Sequence, residues 1–176
     1  MNKERSVELI NIAKIDLLKG RINADLDSLA RILIANYDNK FDCSVESTSY
    51  EDSICPPNEI VDDIIEQMKM DFYAYTKEKI EIENYWGHIH QINMSTNTHN
   101  HGDSYVSAVL YVSVPVGSGK IVFRPRYNQY DNAAYTSSFL PVKGDYYMFP
   151  SYLDHHVTRH HSNEMRVSIS FNFRKQ

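Results

Sequence analysis

From residue 105 onward the chain is a succession of short β-prone runs divided by turn residues. YVSAVLYVSVPV (105–116) is β-branched and aromatic, and Pro115, Gly117 and Gly119 mark a turn before KIVF (120–123). FLPV, DYYMF, HHV and RVSISFNF follow, split by Lys143-Gly144, Pro150 and the polar stretch 158–164. KIEIENYWGHIHQINM (79–94) adds stretches of alternation ahead of them. Strands this short and this numerous bury their apolar sides only by closing on one another, which predicts a sandwich or barrel.

The preceding residues read as helical framing. Asn23 is a candidate cap, Asp25 and Asp27 suit the start of a helix, and Leu26, Leu29, Ala30 and Leu33 form one stripe. Asn58 caps a second predicted helix over 59–76, with Ile60, Ile64, Met68 and Phe72 on one face. Both are expected to pack on one face of a sheet. Residues 7–18 are apolar with mixed periodicity and fit either strand or helix. The segment 39–57, with both cysteines and Pro56-Pro57, reads as a loop. The fold class is thus mainly β with N-terminal helices, in a single domain over 1–176: framing over 1–78, β core over 79–176.

With 176 residues, 42% of them hydrophobic, the chain can bury a core. No apolar run is long enough to span a membrane, and the first residues lack the apolar stretch of a secretory signal. A net charge of −5 argues against double-stranded nucleic acid as a partner. Two cysteines, Cys43 and Cys55, make no disulfide framework, so a reducing, cytoplasmic setting is expected.

All eight histidines fall between His88 and His161, which places the chemistry in the second half. In Thr98-His99-Asn100-His101-Gly102-Asp103-Ser104, positions 99, 101 and 103 share a face if the chain is extended. In Leu153-Asp154-His155-His156-Val157, His155 points with Leu153 and Val157 into the core and His156 to solvent. In Arg166-Val167-Ser168-Ile169-Ser170-Phe171, the arginine shares a face with two hydroxyls, an arrangement suited to a carboxylate ligand. A His-x-Asp pair, a distal histidine and a downstream arginine are consistent with one site. A facial triad leaves positions open on a ferrous ion for a 2-oxo acid and dioxygen, whereas zinc favours a closed site or one open position.

His88 and His90, near Trp86, read as structural residues; His156, His160 and His161 read as solvent-exposed; Arg124 and Arg126 divide evenly between solvated residues and contacts for an anionic substrate.

The stretches HNHGDSYVSAVLYVSVP, FPSYLDHHV and RVSISFN resemble the Fe(II)- and 2-oxoglutarate-dependent oxygenase superfamily. More narrowly, they resemble a group of oxygenases common in phage and marine microbial genomes, distantly related to prolyl hydroxylases. The resemblance implies a double-stranded β-helix, a jelly roll of the cupin-like kind, with iron and 2-oxoglutarate as cofactor and co-substrate, dioxygen consumed and ascorbate as reductant. It implies that His101 and His155 bind the metal, that Arg166 and Ser168 bind the distal carboxylate of 2-oxoglutarate, and that Tyr111 supports that carboxylate. The third ligand is Asp103 or His99; His101/Asp103/His155 is the favoured triad. The implied activity is hydroxylation with release of succinate and CO2, on a protein prolyl residue first and a small molecule second, in the host cytoplasm if phage-encoded. Two other classes fit the residues: a cupin-like or three-histidine metal enzyme that uses no oxo acid, and a jelly-roll binding module without catalysis.

Overall fold

The computed structural model describes residues 15–36, 58–125 and 136–176. Residues 7–14, the 39–57 segment with Cys43 and Cys55, and Arg126 lie outside the described residues.

Two helices precede most of the strands. Helix α1 (Leu26–Ala35) starts at Asp25, whose carboxylate accepts from the Ser28 amide at 3.0 Å. The cap is therefore Asp25 rather than Asn23, although the stripe Leu26, Leu29, Ala30 and Leu33 is buried as expected. Helix α2 (Glu59–Thr76) is capped by Asn58, which accepts from the Ile60 amide at 2.8 Å. It buries Ile64, Met68 and Phe72, with Val61 and Ile65 widening the apolar face. Leu29 and Leu33, almost wholly removed from water, contribute about 2 kcal/mol each through burial.

Among the described residues, nine strands form two antiparallel sheets in a jelly-roll arrangement. The first sheet has the order β1 (Leu18–Arg21), β7 (Asp145–Pro150), β4 (Val106–Ser113), β9 (Arg166–Lys175), β2 (Ile80–His90). The second runs β3 (Thr96–His99), β8 (Asp154–Val157), β5 (Ile121–Arg124), β6 (Ser137–Phe139). β1 is short and half polar. Asp145, buried on β7, holds it through Lys19 at 2.7 Å and Arg21 at 2.6 Å.

Alternation divides the first sheet between two cores. Ala108, Leu110 and Val112 of β4, and Val167, Ile169, Phe171 and Phe173 of β9, pack outward against the helices. Val109, Tyr111, Tyr147 and Phe149 point inward and meet Ile121 and Phe123 of the second sheet.

β2 changes phase partway. Ile82 pairs with Phe173 and Asn84 with Asn172, so the ladder slips at Glu83 and forms a bulge. Ile80 and Ile82 before it, and Tyr85 and Ile89 after it, all pack on the helix side. His88 and His90 consequently face the interior. Gly119, just before β5, runs so close to the residue that follows β8 that a β-carbon there would sit 2.0 Å from the Thr158 carbonyl oxygen. Among the described residues, no helix is long and apolar enough to cross a membrane.

Candidate metal centre

His155 lies on β8, where alternation turns it inward with Leu153, and it is buried. Phe149 meets its ring edge-on with centroids 4.7 Å apart. His99 closes β3 and is the ladder partner of His155. His101 follows in the turn, its amide bonded to the Ser151 carbonyl at 2.8 Å. Each of the three histidines offers a ring nitrogen, and these atoms all lie within 4.8 Å of one another.

Two of the rings are preset for coordination. His155 Nδ1 lies 2.9 Å from the Leu153 carbonyl oxygen, and His99 Nδ1 lies 2.8 Å from that of Asn97. A carbonyl only accepts, so Nδ1 carries the proton in both and Nε2 presents its lone pair. Burial, with the neighbouring His99, lowers the pKa of His155 to about 3 and that of His101 to about 4. Neutral imidazoles are the metal-binding form, and three of them make a donor set suited to iron, nickel or zinc.

The extended geometry expected over 99–103 does not form. β3 ends at His99, and residues 101–104 close a turn in which the Ser104 amide donates to the His101 carbonyl at 2.9 Å. Asp103 is exposed in that turn and stands outside the cluster; His99 stands within it.

One cleft joins the cluster to the arginine. Arg166, Ser168 and Ser170 line it from β9, with His88 and His90 from β2. Ser168 is the ladder partner of both His88 and Tyr111. Arg166 is 1% exposed, and no carboxylate among the described residues pairs with it. Its Cζ lies 5.2 Å from the centroid of the Tyr111 ring. Arg166 Nε and the Tyr111 hydroxyl are both buried and form no hydrogen bond of good geometry. Burial pushes the Tyr111 phenol up to about 12, so it stays protonated and able to donate. A buried cation and two donors without a well-aligned hydrogen bond in one cleft suit an anionic, oxygen-rich ligand, and a dicarboxylate fits them.

Other histidines depart from expectation. His160 is fully buried rather than exposed, with Nε2 donating to the Glu164 carbonyl at 2.8 Å. His156 is half-buried, with burial lowering its pKa; His161 is exposed as expected. Arg124 is exposed at the end of β5. Trp86, to which the sequence assigns no role, faces the site: its ring centroid is 5.5 Å from that of His101, and its Nε1 donates to His88 Nε2 at 2.6 Å. The alternation of Trp86, His88 and His90 on one strand face was the signal for this wall.

Comparisons with known proteins give the family and the fold. A family profile described as "Putative 2OG-Fe(II) oxygenase" matches residues 84–172. No curated protein sequence matches. Among solved structures, a prolyl-4-hydroxylase from Pseudomonas putida superposes with a TM-score of 0.64 at 17% identity, over 91% of this chain and 92% of its own. HygX from Streptomyces hygroscopicus, solved with nickel and 2-oxoglutarate bound, gives 0.52 at 11% identity, over 66% and 67%. An oxidoreductase of the 2OG-Fe(II) oxygenase family from Burkholderia pseudomallei gives 0.52 at 16% identity, over 60% of this chain and half the length of its own. At these identities the structures speak for the fold.

Proposed function

Because this chain belongs to the 2OG-Fe(II) oxygenase family matched over residues 84–172, we propose that it hydroxylates an organic substrate at an iron held by His99, His101 and His155. Arg166, Tyr111 and Ser168 take the distal carboxylate of 2-oxoglutarate. The observation that carries this reading is a three-imidazole cluster sharing one cleft with a buried arginine that pairs with no carboxylate among the described residues.

When bound, the ferrous ion and 2-oxoglutarate supply the activation of dioxygen and two of the electrons it needs, with succinate and CO2 leaving. The chain's own part is positional. The Leu153 and Asn97 carbonyls hold two imidazoles in the ligating tautomer. Arg166 neutralises the far end of the acid, and Tyr111 can donate to it. Three neutral imidazoles leave the metal's charge uncompensated, which favours a dianionic chelator. Phe149 and Phe123 pack against His155 and keep water from that side. Asn100, donating to Asp154 at 2.7 Å, ties the ligand-bearing turn to β8. For the substrate we place a prolyl residue of a protein first, on the full-length likeness to the Pseudomonas putida enzyme, with a small molecule second.

The test is anaerobic titration of 2-oxoglutarate into the Fe(II)-loaded protein, read by visible absorbance. A charge-transfer band that is lost in Arg166→Ala supports the reading. Bound iron without the band favours the second reading, a three-histidine dioxygenase that uses no oxo acid, for which the all-imidazole cluster speaks; Arg166→Ala then leaves turnover intact.

A further inference from the structure

The contact between His90 and Arg166 is not explained by metal binding. Both side chains are about 1% exposed, and the two residues are partners in the β2–β9 ladder. Arg166 Nη1 lies 3.0 Å from His90 Nδ1. A guanidinium only donates, so Nδ1 accepts and the imidazole proton sits on Nε2. Nε2 in turn lies 2.9 Å from Thr96 Oγ1, which accepts it. Burial and the adjacent guanidinium both hold His90 well below its usual pKa, in agreement with an accepting Nδ1. Thr96 thus fixes the imidazole, the imidazole fixes one guanidinium nitrogen, and the Tyr111 ring lies over the guanidinium carbon. Nε of the same guanidinium is buried and forms no well-aligned hydrogen bond.

We propose that His90 is a positioning residue, which turns the guanidinium of Arg166 so that its Nε edge meets the distal carboxylate of 2-oxoglutarate. This rests on the reading of Arg166 given above. An arginine grips a carboxylate through two parallel N–H bonds, so the rotation of the fork decides whether both form. Without an acceptor at Nδ1, the buried Nη1 loses its hydrogen bond and the fork rotates to regain one, because an unsatisfied donor attached to a charged group is costly.

His90→Phe keeps a ring and removes the acceptor; His90→Asn returns an acceptor near the position of Nδ1. In the anaerobic Fe(II) protein, the Kd for 2-oxoglutarate read from charge-transfer absorbance should rise about 10- to 100-fold in His90→Phe. It should return most of the way in His90→Asn, with Fe(II) affinity unchanged in both. In turnover, the KM for 2-oxoglutarate rises while kcat at saturation holds. The 15N shifts of the His90 imidazole in the metal-free parent protein should show a protonated Nε2 and an accepting Nδ1, which tests the arrangement even where a variant folds poorly. Parent-like 2-oxoglutarate affinity in His90→Phe, or a protonated Nδ1 by NMR, overturns the inference. Arg166→Leu separates the two layers. If it too binds 2-oxoglutarate like the parent, the reading of Arg166 is what fails; if it loses binding while His90→Phe keeps it, only the role of His90 falls.

Discussion

His99 and His155 face each other across the β3–β8 ladder, with ring centroids 4.3 Å apart. Backbone pairing alone brings these two imidazoles together, while Asp103 sits outside in an exposed turn. His99→Ala should therefore weaken divalent-metal binding by about 100-fold, since losing a ligand costs at least as much as losing a residue that supports one. Asp103→Ala should leave it nearly unchanged. Calorimetric titration with Mn(II) under argon checks both, and the reverse order of effects would restore the carboxylate triad.

The depressed pKa values of His155 and His101 set a pH dependence. At about 3 and about 4 when folded, against about 6.5 in an unfolded chain, both remain neutral in the native protein while the unfolded chain takes up protons. Stability is thus complete above about pH 6.5 and is lost as pH falls toward the folded values. Urea denaturation of the metal-free protein at pH 7, 6 and 5 should give a steadily falling midpoint. His101→Phe should flatten that slope.

Tyr111→Phe should move two properties in opposite directions. The hydroxyl is buried without a good hydrogen bond, so its removal should leave the metal-free protein as stable or about 1 kcal/mol more stable. The same change removes a donor to the carboxylate and should weaken 2-oxoglutarate binding about 10-fold. Thermal melts and the absorbance titration read the two effects separately. A variant that loses stability and keeps affinity would make Tyr111 a core residue only.

Gly119→Ala should be among the most damaging small substitutions. Its β-carbon would meet the Thr158 carbonyl oxygen at 2.0 Å, a backbone atom that cannot step aside without breaking the Thr158–Lys120 hydrogen bond. A loss of about 3 kcal/mol is expected, as for overpacking of a tight core. Gly102→Ala is the control, because its nearest neighbour is the Asn100 side chain at 3.4 Å. Equilibrium unfolding of the two variants should separate them clearly.

Period-two alternation made much of this architecture legible. It assigned Val167, Ile169 and Phe171 to one face and Arg166, Ser168 and Ser170 to the other, and both faces are where alternation put them. Helix α2 begins at its predicted cap. At α1 both Asn23 and Asp25 can cap, and the helix starts at Leu26, so Asp25 is the one placed to accept from the Ser28 amide. β1 was not legible: LKGR carries no strand pattern, and its place is set by a buried carboxylate more than a hundred residues away. The three-residue step from His101 to a turn-closing Ser104 hid the fate of Asp103, since spacing cannot tell a strand from a turn. His90 and His160 looked unremarkable because the groups they bond, Arg166 and the Glu164 carbonyl, meet them only in the folded chain.

The bulge at Glu83 makes the site depend on counting. Every interior residue of β2 beyond it owes its direction to one unpaired position in the ladder. An in-frame loss of that single residue would leave Trp86, His88, His90 and all three clustered histidines in the sequence, yet swing the β2 wall toward the helices and send Tyr85 and Ile89 inward. Motif matching would score such a chain as intact. Telling an active copy of this chain from a silent one therefore requires reading the length of the segment before Trp86 as well as the letters that follow it.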